Sequence, residues 1–207
     1  MLTCTPDEIA KAVEANDLAT RSLRDRMDRD YELWRLEKYD AGDDFKAYTS
    51  NQPRTFALKV MSILASSKLN IRVPHDESFR DDRERNDNKE KFAYGILKSN
   101  DERLLRILAQ KLQDQLSWYI PMRGWYAGRA VLNKRKDGST YADITPWDPR
   151  HVYWAVGSEG LEWACYKVRR TRSELEDQYN VDLSDHSFDS AEMIEIYDYY
   201  DDEVNAV

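Results

Sequence analysis

Hydrophobic and polar positions along this chain change period near Gly124. Before it, apolar residues recur every three or four positions, the spacing that lines one face of an α-helix; after it they alternate, as in a strand with one buried face. Thr5, Pro6 and Glu8 offer an N-cap, a first-turn proline and a capping-box acid for a short helix to about Glu14. Asp17 then caps a second helix reaching about Tyr39, with Leu23, Met27, Tyr31 and Trp34 as its apolar stripe. Gly42, Asp43 and Asp44 end it, and Asn51 with Pro53 opens a third helix that carries Phe56, Val60, Ile63 and Leu64. Leu69 to Val73 alternates and predicts a short strand stopped by Pro74. From Ser78 to Lys91 five acids and five bases intermix, which suits a solvated helix with ion pairs one turn apart better than a loop. Asn100, Asp101 and Glu102 then read as the start of a long amphipathic helix striped by Leu104, Leu105, Leu108, Leu112 and Leu116 and ending near Pro121.

Past Gly124, Ala127–Leu132 and Thr140–Ile144 flank Lys136, Asp137, Gly138 and Ser139, a hairpin signature. A second hairpin is expected from Val152–Val156 and Leu161–Val168 around Gly157, Ser158, Glu159 and Gly160. Thr171 and Glu174 form another capping box, for a helix to about Tyr179, and Met193–Tyr200 reads as a strand. The fold class is therefore α+β: N-terminal helices over 1–123, then an antiparallel β-hairpin sheet over 124–207, together making one structural unit.

Composition narrows the function classes. At 207 residues, with 41% hydrophobic and 34% charged side chains, the chain can build a core under a heavily solvated surface. No apolar run approaches the roughly 20 residues of a membrane helix. Met1 to Ala15 lacks the pattern of a secretory signal, and Cys4 and Cys165 stand alone, so synthesis in a reducing cytoplasm is expected. Nine acids and no Lys or Arg fall between Asp182 and Glu203, which leaves 30 acids against 31 bases elsewhere in a chain of net charge −8. Without a basic excess, tight gripping of nucleic acid is disfavoured, although DNA could pass such a surface.

Candidate chemistry is sparse. His75, His151 and His186 are isolated and no CxxC is present, so no metal site is expected; the scattered glycines cradle no phosphate. Asp143, Asp148 and Glu162 are the best enzyme-like set, able in principle to gather a magnesium ion for a small nuclease, but acids at strand ends are more often plain surface. Arg129, Lys134, Arg135 and Lys136, and then Arg169, Arg170 and Arg172, could meet a single strand of nucleic acid; a hairpin tip kept soluble by charge is favoured over that. Six tryptophans, Trp34, Trp118, Trp125, Trp147, Trp154 and Trp163, suit both a core and a protein interface. No catalytic, cofactor-binding or metal-binding residue is assigned, and a generic interaction module stays open beside the nuclease.

Three stretches carry a family resemblance. Tyr48-Thr-Ser-Asn-Gln-Pro-Arg-Thr-Phe-Ala-Leu-Lys-Val-Met-Ser-Ile-Leu64 follows a long N-terminal helix; Trp118-Tyr-Ile-Pro-Met-Arg-Gly-Trp-Tyr-Ala-Gly-Arg-Ala-Val-Leu132 passes from helix into sheet; Ile144-Thr-Pro-Trp-Asp-Pro-Arg-His-Val152 turns between strands. Together, over roughly residues 20 to 204, they resemble the N-terminal, wing-like part of tailed-bacteriophage portal proteins. The resemblance implies a structural virion protein, assembled in the host cytoplasm, whose subunits form a ring, usually of twelve, at one capsid vertex. Double-stranded DNA is packaged and ejected through that ring without sequence-specific binding. Implied partners are the terminase large subunit and the major capsid, scaffold and head-completion proteins, with no membrane and no cofactor. The family's stem and clip segments have no counterpart in these residues, and no defined binding residue transfers.

Overall fold

The computed structural model describes residues 5–38, 42, 46, 48–74, 80–134, 137–179, 182–183, 193–202 and 205–206, with backbone only for 80–83, 177–179 and 205. Helices come first: α1 Pro6–Ala19, α2 Arg21–Arg35, α3 Gln52–Ser66, α4 Arg80–Arg106 and α5 Leu112–Arg123. Strands follow as β1 Ala127–Lys134, β2 Thr140–Trp147, β3 Val152–Gly157, β4 Gly160–Thr171, β5 Met193–Asp201 and β6 Asn205–Ala206, with α6 Arg172–Tyr179 after β4. The fold is mixed α+β and all pairing is antiparallel, but the strands make two sheets, β1-β2 and β3-β4-β5-β6, where one was expected. Compact grouping cuts across the helix-to-sheet change at residue 124. Met1–Arg26 and Arg150–Val207 form a sheet unit, and Met27–Pro149 a helical unit.

In the sheet unit, register makes the core. Tyr153 pairs with Cys165 and Cys165 with Tyr199, so three side chains stand in a row across β3, β4 and β5 on one face. Ile9 and Val13, one turn apart on α1, cover that row, and Trp163 stacks on Tyr199 at 5.9 Å between ring centroids. The Glu8 carboxylate accepts from the Thr5 N–H, the return bond of a capping box, and also from the Thr5 hydroxyl. However, α1 continues to Ala19 rather than stopping near Glu14. Asp17 therefore lies inside it and caps nothing; its carboxylate lies 2.9 Å from Arg24 Nε. Arg24 is buried, donates to the carbonyls of Arg150 and Val152 at 2.7 and 3.2 Å, and lies 4.1 Å from the Tyr153 ring centroid.

The helical unit departs further from its sequence pattern. Leu36 at φ 60° ends α2 four residues before Tyr39: Glu37 N–H returns to Glu32 O and Leu36 N–H to Leu33 O, a closed cap that stops the helix. Leu69–Val73 is not a strand, since it pairs with no strand among the described residues. Its backbone bonds go to α4 side chains instead: Tyr94 Oη accepts from Ile71 N–H and donates to Leu69 O, and Glu90 accepts from Val73 N–H. The polar stretch is helical from Arg80 onward, as its charge pattern predicts.

The leucine stripe does not mark one helix. Helix α4 runs through Asn100 to Arg106, where Leu108 at φ 59° closes it: Ala109 N–H bonds Leu104 O and Leu108 N–H bonds Leu105 O. A leucine in this left-handed position costs about 1 kcal/mol, and Leu108 is 96% exposed. Helix α5 restarts at Leu112, whose N–H is held by Asp101 Oδ1 at 2.9 Å. Asp101 is thus a helix-starting acid, for α5 rather than for the helix it sits in. Only Leu104 of the stripe is buried.

Tyr39, Asp43, Asp44, Ser78, Arg135, Lys136, Cys4, His75, His186 and the acids Asp185, Asp189, Glu192 and Glu203 lie outside the described residues.

Candidate assembly surface

Polar joints hold the helical unit. Asn100, 1% exposed at the middle of α4's second half, donates from Nδ2 to Ile144 O and accepts from Ile144 N–H, both at 3.0 Å. One side-chain amide thus does for β2 what a neighbouring strand would do. One turn on, Arg103 pairs with Asp143, which also accepts from Thr145 Oγ1 at 2.9 Å and faces Arg129 at 3.6 Å.

The second joint is Arg123, near the end of α5. Its Nε and Nη2 donate to the two oxygens of Asp148 at 2.9 and 3.0 Å, a bidentate pair, and Nη1 donates to Met27 O at 3.3 Å. The guanidinium lies 5.4 Å from the Tyr31 ring centroid and 5.5 Å from that of Trp118, where the ring faces attract it. Tyr31, Trp34 and Trp118 contact one another at 5.8 to 6.5 Å, and Arg54 sits 5.3 Å over Trp34. Farther along α5, Gln113 Nε2 donates to Leu64 O and Ser67 O, tying the C-terminal end of α3.

These contacts reassign the sequence candidates. Asp143 and Asp148 are each engaged by arginine, and Glu162 belongs to the exposed part of β4 in the sheet unit. Among the described residues no group of three His, Cys, Asp or Glu is placed to hold a metal. Arg129 turns to Asp143 and leaves the hairpin tip, where Lys134 is exposed; Arg169 faces Glu195 at 3.6 Å and Arg172 pairs with Glu176 at 2.8 Å. All six tryptophans are buried or half-buried.

Exposed apolar side chains come from elsewhere. Helix α3 buries Ala57 and half-buries Val60, Met61 and Leu64, positions three, four and seven apart. Phe56 (70% exposed) and Ile63 (68%), expected on the packed stripe, stand two turns apart on its open side instead. Beside Phe56 an open depression of 450 Å³ runs past Tyr48, Asn51 and Lys59. Phe92 on α4, Leu105, Ile107 and Leu108 at the α4–α5 elbow, and Tyr126 and Leu132 at β1 are exposed as well. The signal that could have found them is small: Ala57, not Phe56, has the phase shared with Val60, Met61 and Leu64. The exposed large apolar side chains of this unit thus come from α3, α4, the α4–α5 elbow and β1.

In the sheet unit, burial first and Asp198 second push the Cys165 thiol up to about 12, against the pull of Lys167, so it is an inert core thiol. Burial would lower Lys167, but hydrogen bonds to Glu195 and Tyr197 outweigh it and keep the ammonium charged. Among the described residues no helix is long and apolar enough to cross a membrane. No model of a known protein family matches the sequence, and a search of curated proteins finds no match.

Proposed function

We propose that this chain is a portal subunit of a tailed bacteriophage, in its wing-like part: a structural virion component rather than an enzyme. In this role it assembles with copies of itself into a ring, usually of twelve, through which the genome is packaged and ejected. The terminase large subunit, major capsid protein, scaffold and head-completion proteins are its further partners, and double-stranded DNA passes without being read.

The observation that carries this reading is the exposed apolar surface of the helical unit, with Phe56, Ile63, Phe92 and Leu108 all more than half in solvent. A subunit lodged between neighbours covers such surface with their equivalents, as a closed ring requires. The order of elements supports the same reading, with helices leading into hairpins at Gly124 where the resembling stretches fall. Asp143 and Asp148, the carboxylates a nuclease would use, serve as arginine partners that hold α4 and α5 to the end of β2.

Immunogold labelling of phage particles with an antibody to this chain tests it. Label confined to a single vertex at the head–tail junction is expected, and label spread over the capsid, or found only in unassembled fractions, would overturn the assignment.

A further inference from the structure

β3 covers only part of the twelve-residue strand β4. Val152 opposes Tyr166, so on that side Lys167 to Thr171 has no strand beside it among the described residues, whereas β5 pairs with it as far as Thr171 opposite Met193. An open strand edge presents N–H and C=O groups spaced to receive one more strand. Along this stretch lies a cavity of 540 Å³, lined by His151, Tyr153, the run from Tyr166 to Arg170, and Glu195.

The lining is cationic. Lys167 and Arg169 share the Glu195 carboxylate at 2.9 and 3.6 Å, and the Glu174 carboxylate feels the charge of Arg170, so three cations stand against two acids. Arg170 Nε is buried with no hydrogen-bond partner. By alternation Lys167 and Arg169 project to one face of the sheet and Arg170 to the other. Charge on an edge deters neutral strands. The same surplus of positive charge favours a strand that brings carboxylates.

We propose that the open edge of β4 takes an extended, acidic segment of a partner protein as an added strand, its backbone pairing with Lys167 to Thr171 and its carboxylates meeting Lys167, Arg169 and Arg170. The site lies wholly in the sheet unit and does not depend on the portal assignment.

The probe is a fluorescein-labelled decapeptide of alternating Glu and Val, titrated with the full chain and followed by anisotropy. Binding is expected that weakens with added salt and falls by about tenfold or more in the Arg169→Glu/Arg170→Glu variant. The milder Arg169→Gln/Arg170→Gln variant should fall between, and Lys134→Glu in β1 should bind as the parent does. A peptide N-methylated at alternate residues, which cannot complete the backbone ladder, should bind about tenfold more weakly or worse. No binding at millimolar peptide would leave the arginines as edge guards and overturn the proposal. Equal binding of the N-methylated peptide, or displacement of the parent by an equal concentration of inorganic phosphate, would overturn it in favour of a plain anion site.

Discussion

Among the described residues, the sheet unit buries eight apolar side chains (Ile9, Val13, Val152, Tyr153, Cys165, Leu175, Ile196, Tyr199) and exposes four large ones (Leu18, Val156, Leu161, Met193). The longer helical unit buries five (Met27, Ala57, Leu104, Met122, Trp147) and exposes thirteen. The difference follows from how each is joined. In the sheet unit, backbone register aligns Tyr153, Cys165 and Tyr199, and two turns of α1 suffice to cover them. In the helical unit the elements meet through Asn100, Arg103 and Arg123, polar groups that fix geometry with less apolar burial, and more of the large apolar side chains stay exposed. One unit closes its own core; the other leaves more of its large apolar side chains exposed.

The largest effect expected is on a polar joint. Arg123 is 9% exposed and carries the bidentate pair with Asp148 and the bond to Met27 O. Arg123→Ala takes the bidentate arginine from the half-buried Asp148 carboxylate, and breaking a buried pair from one side costs about 3 to 5 kcal/mol. Urea unfolding read by tryptophan fluorescence should show the helical unit melting first, because Trp118 lies against the lost guanidinium and Trp34 contacts Trp118. A loss under about 1 kcal/mol would mean that apolar packing holds this unit and that the contrast between the two units is overdrawn.

The sheet unit should respond instead to alkali. The Cys165 thiol is raised to about 12 in the folded chain from an ordinary 9.0, so the folded state holds its proton more tightly. Its stabilising contribution is complete below pH 9 and is lost as pH rises from there through about 12. By roughly pH 10.5 the loss amounts to about 2 kcal/mol. Cys165→Ala, compared with the parent across the same pH range, cancels the titration of tyrosines and lysines common to both and should lack this loss, so the gap between the two stability curves narrows as pH rises above 9. Parallel stability curves for the two proteins would show that the thiol is not held in the core.

Much of this contrast can be read from the chain itself, and the parts that cannot have physical causes. Capping boxes at Thr5 and Thr171, both hairpins and the β5 strand are local: each is specified by residues within a few positions of one another. Helix α4 and the leucine stripe were not so readable, because apolar phase continued across the break at Leu108 while the cap that makes the break is a backbone event. Asn100 and Asp101 look like a helix start in sequence, yet one serves β2 and the other α5. The open face of α3 was hidden for a related reason: Phe56 and Ile63 fit a helical stripe, and only the packing of Ala57 against the rest of its unit shows which face is inside.

The smallest effect on stability, and the sharpest on function, is expected on that outer face. Phe56→Asp together with Ile63→Asp replaces two exposed side chains on α3, so the unfolding free energy from urea titration should change by no more than about 0.5 kcal/mol. Association should change far more. Sedimentation velocity of the parent at rising concentration should show weak, heterogeneous oligomers that grow with salt, since the nine acids between Asp182 and Glu203 repel one another across a screening length of about 8 to 10 Å. The double variant should stay a single slow species at every concentration, because each carboxylate must be desolvated before a neighbour can seat on α3. A parent that remains monomeric throughout, or a double variant that associates as readily, would remove α3 from the assembly surface. A variant destabilised by more than about 2 kcal/mol would place Phe56 and Ile63 in the core, and the helical unit would then be closed like its neighbour.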